Sequence, residues 1–247
     1  LMRNEECIEF PVDQRTITHR FASEGIKFIS KSVKEQKPFF LYLANSMPHI
    51  PLYVSKEFEG VSERGLYGDV IEEIDYNVGR ILDHLKELAI EENTLVVYTS
   101  DNGPWLVMGD RGGSADPLFE GKMTRFEGGQ RVPCIMWAPG RIPAGTVCDE
   151  VAGTIDLLPT IAALTNTPLP NDRKIDGLDI STLLTSDAES PRNEFLYYTS
   201  RGIIEGIRQD KWKLLVKKPG NRRNGKGKGK GKQQSAKAVA KPEVMLF

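Results

Sequence analysis

Apolar residues recur with two different periods along this chain of 247 residues. Between Thr16 and Glu35, Ala22, Ile26, Ile29 and Val33 fall near helical spacing. Lys37-Pro38 then ends the pattern, which predicts a helix feeding a strand. The strand is expected over Phe39 to Ala44, a short, almost wholly apolar run of the kind covered on both faces, stopping at Asn45-Ser46-Met47-Pro48-His49. From Tyr67 to Ala89 the series Ile71, Ile74, Val78, Ile81, Leu85 and Leu88 predicts a longer amphipathic helix, with acids early and Lys86 late to suit the helix dipole. Thr94 to Thr99, rich in β-branched residues, reads as a buried strand, followed at once by the polar loop Ser100-Asp101-Asn102-Gly103-Pro104.

A Gly-rich loop from Gly109 to Gly129 leads into Val132 to Trp137, a third apolar strand with Cys134 expected in the core. Asp156 is placed to cap a helix from Leu157 to about Leu164, and Pro159 is tolerated in its first turn. Alternating strands and helices imply an α/β sheet covered on both faces. After about Pro191 the style changes. Phe195 to Thr199, Ile203 to Arg208 and Lys211 to Val216 predict short antiparallel strands, and Val244 to Phe247 one more. The expected division is therefore an α/β part over 1–190 and a small antiparallel subdomain over 191–247.

Composition bounds the class. With 39% hydrophobic and 27% charged residues the chain has the balance of a globular protein. No apolar run approaches the roughly 18 to 20 residues that a membrane helix needs. Cys7, Cys134 and Cys148 are odd in number and lack Cys-x-x-Cys spacing, which argues against a zinc site or a disulfide scaffold. The formal charge of -1 is uneven, because 220–241 alternates Gly and Lys without a single acid. That segment cannot bury enough apolar surface to offset its ordering entropy and is expected to be a disordered loop. A tether for polyanions is its alternative reading, with nucleic acid not the expected partner.

Candidate chemistry sits where the predicted strands end, since loops there present side chains without disturbing the core. Asp101 and Asn102 offer a carboxylate and an amide oxygen, the hard donors that calcium or magnesium prefers, although Asp-Asn-Gly also suits an ordinary turn. Lys122, between Gly121 and Met123, is placed to act as a point charge on a sulfate or phosphate, or else is a solvated surface lysine. His49 follows a strand end. His84 on the long helix reads as structural, and His19 shows no partner in sequence.

In order along the chain stand Pro38-Phe39-Phe40-Leu41-Tyr42-Leu43-Ala44 with Pro48-His49, Gly79-Arg80-Ile81-Leu82, and Thr99-Ser100-Asp101-Asn102-Gly103-Pro104. Gly121-Lys122 with Phe126-Glu127-Gly128-Gly129, Asp156-Leu157-Leu158-Pro159-Thr160, and Ile207-Arg208-Gln209-Asp210-Lys211-Trp212-Lys213 follow. This ordered set resembles the sulfatase family, nearest in pattern to its arylsulfatase A and galactosamine-6-sulfatase branch. The resemblance implies an α/β alkaline-phosphatase-like sandwich with a small C-terminal antiparallel subdomain. It implies hydrolysis of a sulfate ester, of an aryl compound or a sulfated sugar. It assigns Asp101 and Asn102 as ligands of a divalent metal, usually calcium, and His49 and Lys122 as contacts to the sulfate. A phosphoesterase or phosphonate hydrolase of the same superfamily is the first alternative, and a non-catalytic protein that binds sulfated polyanions the second.

The family's reaction uses a formylglycine made from the Cys or Ser of a Cys-x-Pro-Ser-Arg or Ser-x-Pro-x-Arg motif. Neither motif occurs in this sequence, and neither do the paired N-terminal aspartates and the Lys-x-His of the family pattern. Truncation at the N-terminal side is the expected reason, with the chain as given inactive, poorly soluble and lacking its nucleophile. Secretion, a periplasm or a lysosome is family habit only. Substrate identity and oligomeric state have no motif.

Overall fold

The longest helix organises the first part of the molecule. A computed structural model describes residues 1–199, 201–217 and 243–246, and the chain divides into two compact units, Leu1–Ala144 and Gly145–Phe247. The division lies upstream of the boundary expected near 190, and Asp156, Ile180 and Arg192, discussed below, supply the physical tie. The Gly/Lys segment expected to be disordered lies outside the described residues.

In the first unit a short hairpin of β1 (Met2–Arg3) and β2 (Glu6–Cys7) precedes α1 (Ile17–Lys34). Helix α2 spans Gly65–Glu87, close to its predicted limits. The two helices pack together through buried Ile17, Ala22 and Ile29 of α1 and Leu85 of α2. Polar contacts fix their rotation: Ser30 Oγ lies 2.7 Å from His84 Nε2, and Arg80 donates to Ser23 Oγ at 3.2 Å and to Asn77 Oδ1 at 2.9 Å. His84 is thus structural, as expected. His19 does have a partner, since its Nδ1 lies 3.4 Å from Arg80 Nη1.

The N-terminal half of α2 buries Val70 and Ile74 against Met47 and Val54, with Leu52, Phe58 and Tyr98 at the margin. Each such side chain contributes about 1.5–3 kcal/mol by leaving water. Two buried carboxylates of α2 hold the loop that precedes the helix. Asp69 accepts the amides of Ser62 at 2.8 Å and Gly60 at 3.0 Å, and Glu73 accepts that of Ser55 at 3.1 Å. The Ser62 and Gly60 amides hold the Asp69 carboxyl below its ordinary value.

Strand β3 (Val96–Thr99) pairs antiparallel with β4 (Cys134–Trp137), Val96 opposite Trp137 and Thr99 opposite Cys134. Between them the chain makes one turn of helix, α3 (Glu127–Gln130). Two expectations fail here. Residues 39–44 enter no ladder among the described residues, and Phe40 and Tyr42 are 71% and 81% exposed. An apolar extended run becomes a strand only when a neighbour accepts its backbone hydrogen bonds, which period alone does not disclose. Cys134 is exposed and not core, because the outer face of a two-stranded ribbon carries no cover among the described residues.

The second unit contains α4 (Leu157–Leu164) and a four-stranded antiparallel sheet, β5 (Glu194–Tyr198), β6 (Ile204–Gln209), β7 (Trp212–Lys217) and β8 (Glu243–Leu246), in that order. Gln209 faces Trp212 across a turn in which Asp210 takes a positive φ of 48°. Leu215 is fully buried, and the Lys213 ammonium lies 3.9 Å from the Tyr197 ring centroid, a cation–π contact shielded from water.

Asp156 does not cap α4 with its side chain. Its carboxylate, wholly buried, accepts the amides of Gly153 and Leu178, each at 2.8 Å, and the Arg192 guanidinium in a bidentate pair. Thr160 Oγ1 donates to the Asp156 carbonyl at 2.6 Å and accepts the Ile180 amide at 3.0 Å. A buried charge needs a counter-charge and hydrogen bonds on every lone pair, and Arg192 supplies what solvent cannot. This node joins α4 to the segment before β5.

Candidate functional site

His49, Asp101, Asn102 and Lys122 all belong to the first unit, and two sets of forces place them. The first is apolar. Met47 and Val54 lie on either side of His49 in sequence and both sink into the α2 cluster, so the segment bearing His49 is pinned at both ends while the imidazole itself stays exposed. Tyr98 packs on the same cluster and leads through Thr99 to Asp101. The His49 segment and the Asp101 loop therefore share one anchorage.

The second is backbone proximity. The Gly103 amide donates to the Gly129 carbonyl at 3.2 Å, the Lys122 amide to the Pro104 carbonyl at 2.8 Å, and the Gly128 amide to the Phe119 carbonyl at 2.9 Å. Three stretches of chain approach so closely that a Cβ on Gly103 would lie 1.8 Å from the Gly128 oxygen, and one on Gly121 would lie 2.4 Å from the Pro104 oxygen. Glycine is the residue that permits such an approach. On either side of Gly121-Lys122, Glu120 and Met123 hold positive φ of 63° and 71°. Each costs on the order of 1–3 kcal/mol and persists because the surrounding bonds fix it, a pattern that clusters where side-chain placement matters.

Trp105 joins the two sets. Its ring centroid lies 5.8 Å from that of His49, and the Lys122 ammonium lies 5.5 Å from the indole centroid. An imidazole and an amine that are 73 positions apart in sequence thus meet on one indole. His49 Nδ1 is 2.7 Å from the Ile50 carbonyl oxygen, which can only accept, so Nδ1 carries a proton and Nε2 is the nitrogen that gains or loses one.

Asn102 spends its Nδ2 on the Gly103 carbonyl at 3.0 Å, so its amide oxygen is the atom that could ligate a cation. Asp101 is exposed, and among the described residues no hydrogen bond or ion pair engages its carboxylate. Together they are hard oxygen donors of the kind calcium takes, but calcium gathers roughly six to eight oxygens. Among the described residues no three His, Cys, Asp or Glu side chains converge to hold a metal. The pair would fit calcium in kind and would provide only part of its shell.

Trp105 escaped the sequence reading, because an aromatic after Asn-Gly-Pro carries no periodic signal and its role lies in contacts made across the chain. A cavity of about 500 Å³, lined by Glu9, Asp13, His19, Arg20 and Glu73 among others, includes none of the four predicted residues.

Comparison with known proteins defines the class first: solved relatives share an alkaline-phosphatase-like α/β fold. The PsFucS1 sulfatase of Pseudoalteromonas sp. superposes with a TM-score of 0.80 and 29% identity over 97% of this chain and 48% of that one. The phosphonate monoester hydrolase of Agrobacterium radiobacter, 18% identical with a TM-score of 0.59, covers 83% of this chain and 53% of its own and shares the fold alone. The family model for sulfatases matches residues 3–167, and the chain belongs to the sulfatase family. Among curated relatives, N-acetylgalactosamine-6-sulfatase of Canis lupus familiaris is 44% identical over 194 residues, 76% of this chain and 37% of that protein. Human arylsulfatase A is 38% identical over 199 residues, 78% of this chain and 39% of its own. The chain thus spans less than half the length of these relatives. Among the described residues no helix is long and apolar enough to cross a membrane.

Proposed function

We propose that the protein hydrolyses sulfate esters, with this chain supplying His49 and Lys122 as the sulfate contacts and Asp101 and Asn102 as ligands of a calcium ion. The observation that supports the reading is the meeting of the His49 imidazole and the Lys122 ammonium on Trp105, on a loop that begins with Asp101-Asn102. Bound calcium would supply a fixed positive charge against the sulfate oxygens. The remaining calcium ligands would be water or residues other than these two.

Sulfuryl transfer, like phosphoryl transfer, needs in-line positioning and neutralisation of charge on the equatorial oxygens. Lys122 supplies a point charge whose backbone is locked to Pro104. His49, with Nδ1 committed to Ile50, presents Nε2 to the ester. As the imidazolium it donates a proton to the departing alkoxide oxygen, so turnover requires His49 in its protonated form for that step. Asp101 and Asn102 hold their side chains at the edge of the same packed loops.

The substrate class is a sulfated sugar or an aryl sulfate. N-acetylgalactosamine-6-sulfatase and arylsulfatase A support it by their names, and both are matched over about three quarters of this chain. The chain of 247 residues alone, which carries no formylglycine motif, is expected to release no sulfate. The deciding experiment gives the full-length protein aryl sulfate, aryl phosphate and a sulfated monosaccharide, with and without calcium. Calcium-dependent release of sulfate in preference to phosphate is the expected result. Preference for phosphate would replace the sulfatase reading by a phosphoesterase one.

A further inference from the structure

We infer that Trp105 is a positioning residue: its indole fixes the Lys122 ammonium and the His49 imidazole relative to one another, so that both reach one sulfate. This rests on the sulfatase reading for its chemistry and on the structure for its geometry.

Lysine is a poor clamp by itself. Its four-carbon stem has many rotamers, and about 1.5–2 kcal/mol of side-chain freedom must be lost to hold the ammonium in one place. The indole face, 5.5 Å from the Lys122 ammonium, offers a directional attraction that favours one arrangement. His49 meets the same ring at 5.8 Å with planes tilted by 42°. One rigid side chain therefore sets both groups. With two χ angles, tryptophan loses little freedom in doing so.

Trp105 is itself held at its backbone. Its amide donates to the Gly112 carbonyl at 3.0 Å, and its carbonyl accepts the Met108 amide at 3.0 Å. A Cβ on Gly112 would lie 2.0 Å from the Trp105 oxygen, so that approach tolerates no side chain. The residue before it, Pro104, accepts the Lys122 amide at 2.8 Å. Lys122 is thus tied to this turn twice, once through its main chain and once through its ammonium. A backbone bond orients the start of the lysine side chain, and the indole orients its end. Because the backbone anchorage is independent of the indole, replacing the side chain leaves the turn in place.

The test is a double-mutant cycle in the full-length protein, with Trp105→Leu, Lys122→Ala and the pair, read by kcat and KM on an aryl sulfate and by the affinity of inorganic sulfate. Trp105→Leu should lower kcat about 2- to 30-fold, with KM changed less than about twofold, the range of a cation–π contact between half-buried groups. In the Lys122→Ala background the same substitution should lower kcat by a clearly smaller factor, what remains being the loss of His49 placement, and Trp105→Phe should restore most of the loss. Sulfate affinity should show the same non-additivity. If the wild type releases no sulfate from any ester while the cycle remains non-additive in sulfate affinity, the sulfatase reading falls and the positioning role stands. Additive effects in both readouts, or no effect of Trp105→Leu in either, would overturn the inference, since a purely structural tryptophan acts the same way with and without Lys122.

Discussion

Asp101 opens the loop after β3 and Asp156 ends the short turn before α4, and the protein treats these two aspartates in opposite ways. Asp156 is wholly buried, with two backbone amides and the Arg192 guanidinium on its oxygens. Asp101 is exposed, and no described residue bonds its carboxylate. The loop carrying Asp101 is nevertheless tied closely to its neighbour, with no room for a side chain on Gly103 against Gly128. A carboxylate surrounded by protein donors is architecture. One held rigidly by its backbone, with its oxygens turned away from protein donors, is arranged for something from outside, and a calcium ion is the proposal.

The comparison can be broken most decisively at Asp101. Asp101→Ala in the full-length protein should lower kcat/KM for an aryl sulfate by about 10²–10³-fold, the scale of losing one preorganised electrostatic contact. Its melting temperature without calcium should hardly move. A large fall in stability would make Asp101 a second architectural carboxylate and erase the contrast.

Asp156→Ala should do the reverse, costing about 3–5 kcal/mol because Arg192 is left buried and unpaired. Denaturant unfolding of the second unit would measure it. The pair also predicts an acid limb. Burial pushes the Asp156 carboxyl up, but Arg192 and the Leu178 and Gly153 amides pull it further down, to a net value below the ordinary one. Its stabilisation is therefore complete above the pH at which an unfolded aspartate ionises, and it is lost as pH falls through the lower folded value. A stability profile in Asp156→Ala that keeps the full wild-type acid slope would show that the slope originates elsewhere.

Gly103→Ala sharpens the comparison from the packing side. Its Cβ would lie 1.8 Å from a backbone oxygen, so the Asp101 loop must shift, costing roughly 1–3 kcal/mol and reducing turnover with it. The smallest effect is expected at Met123. Met123→Gly relieves a positive φ of 71° at an exposed position and should change stability by less than about 1 kcal/mol, detectable as a small shift in melting temperature.

Much of this was legible in the sequence for identifiable reasons. Helix α2 was readable because its apolar positions repeat over many turns, and α4 matches its predicted limits although the Asp156 side chain does not cap it. The four candidate residues stood in the sequence as part of an ordered set of short motifs, and the structure brings two of them, His49 and Lys122, to the same indole. The rest depends on partners distant in the chain. Residues 39–44 look like a strand, but pairing belongs to two segments and only one was in view. Arg192 lies 36 positions from Asp156, so no local pattern could distinguish a cap from a buried ion pair. Trp105 was hidden for the same reason.

The glycine contacts have a consequence for how such a protein can change. Where main chain presses on main chain, ordinary substitution is closed off, and variation in these loops has to be written at outward-facing positions, where Val107, Phe119 and Met123 stand 78%, 66% and 84% exposed. The interior of the loops is a fixed jig. Diversity in this region belongs to the side chains that the jig leaves outside.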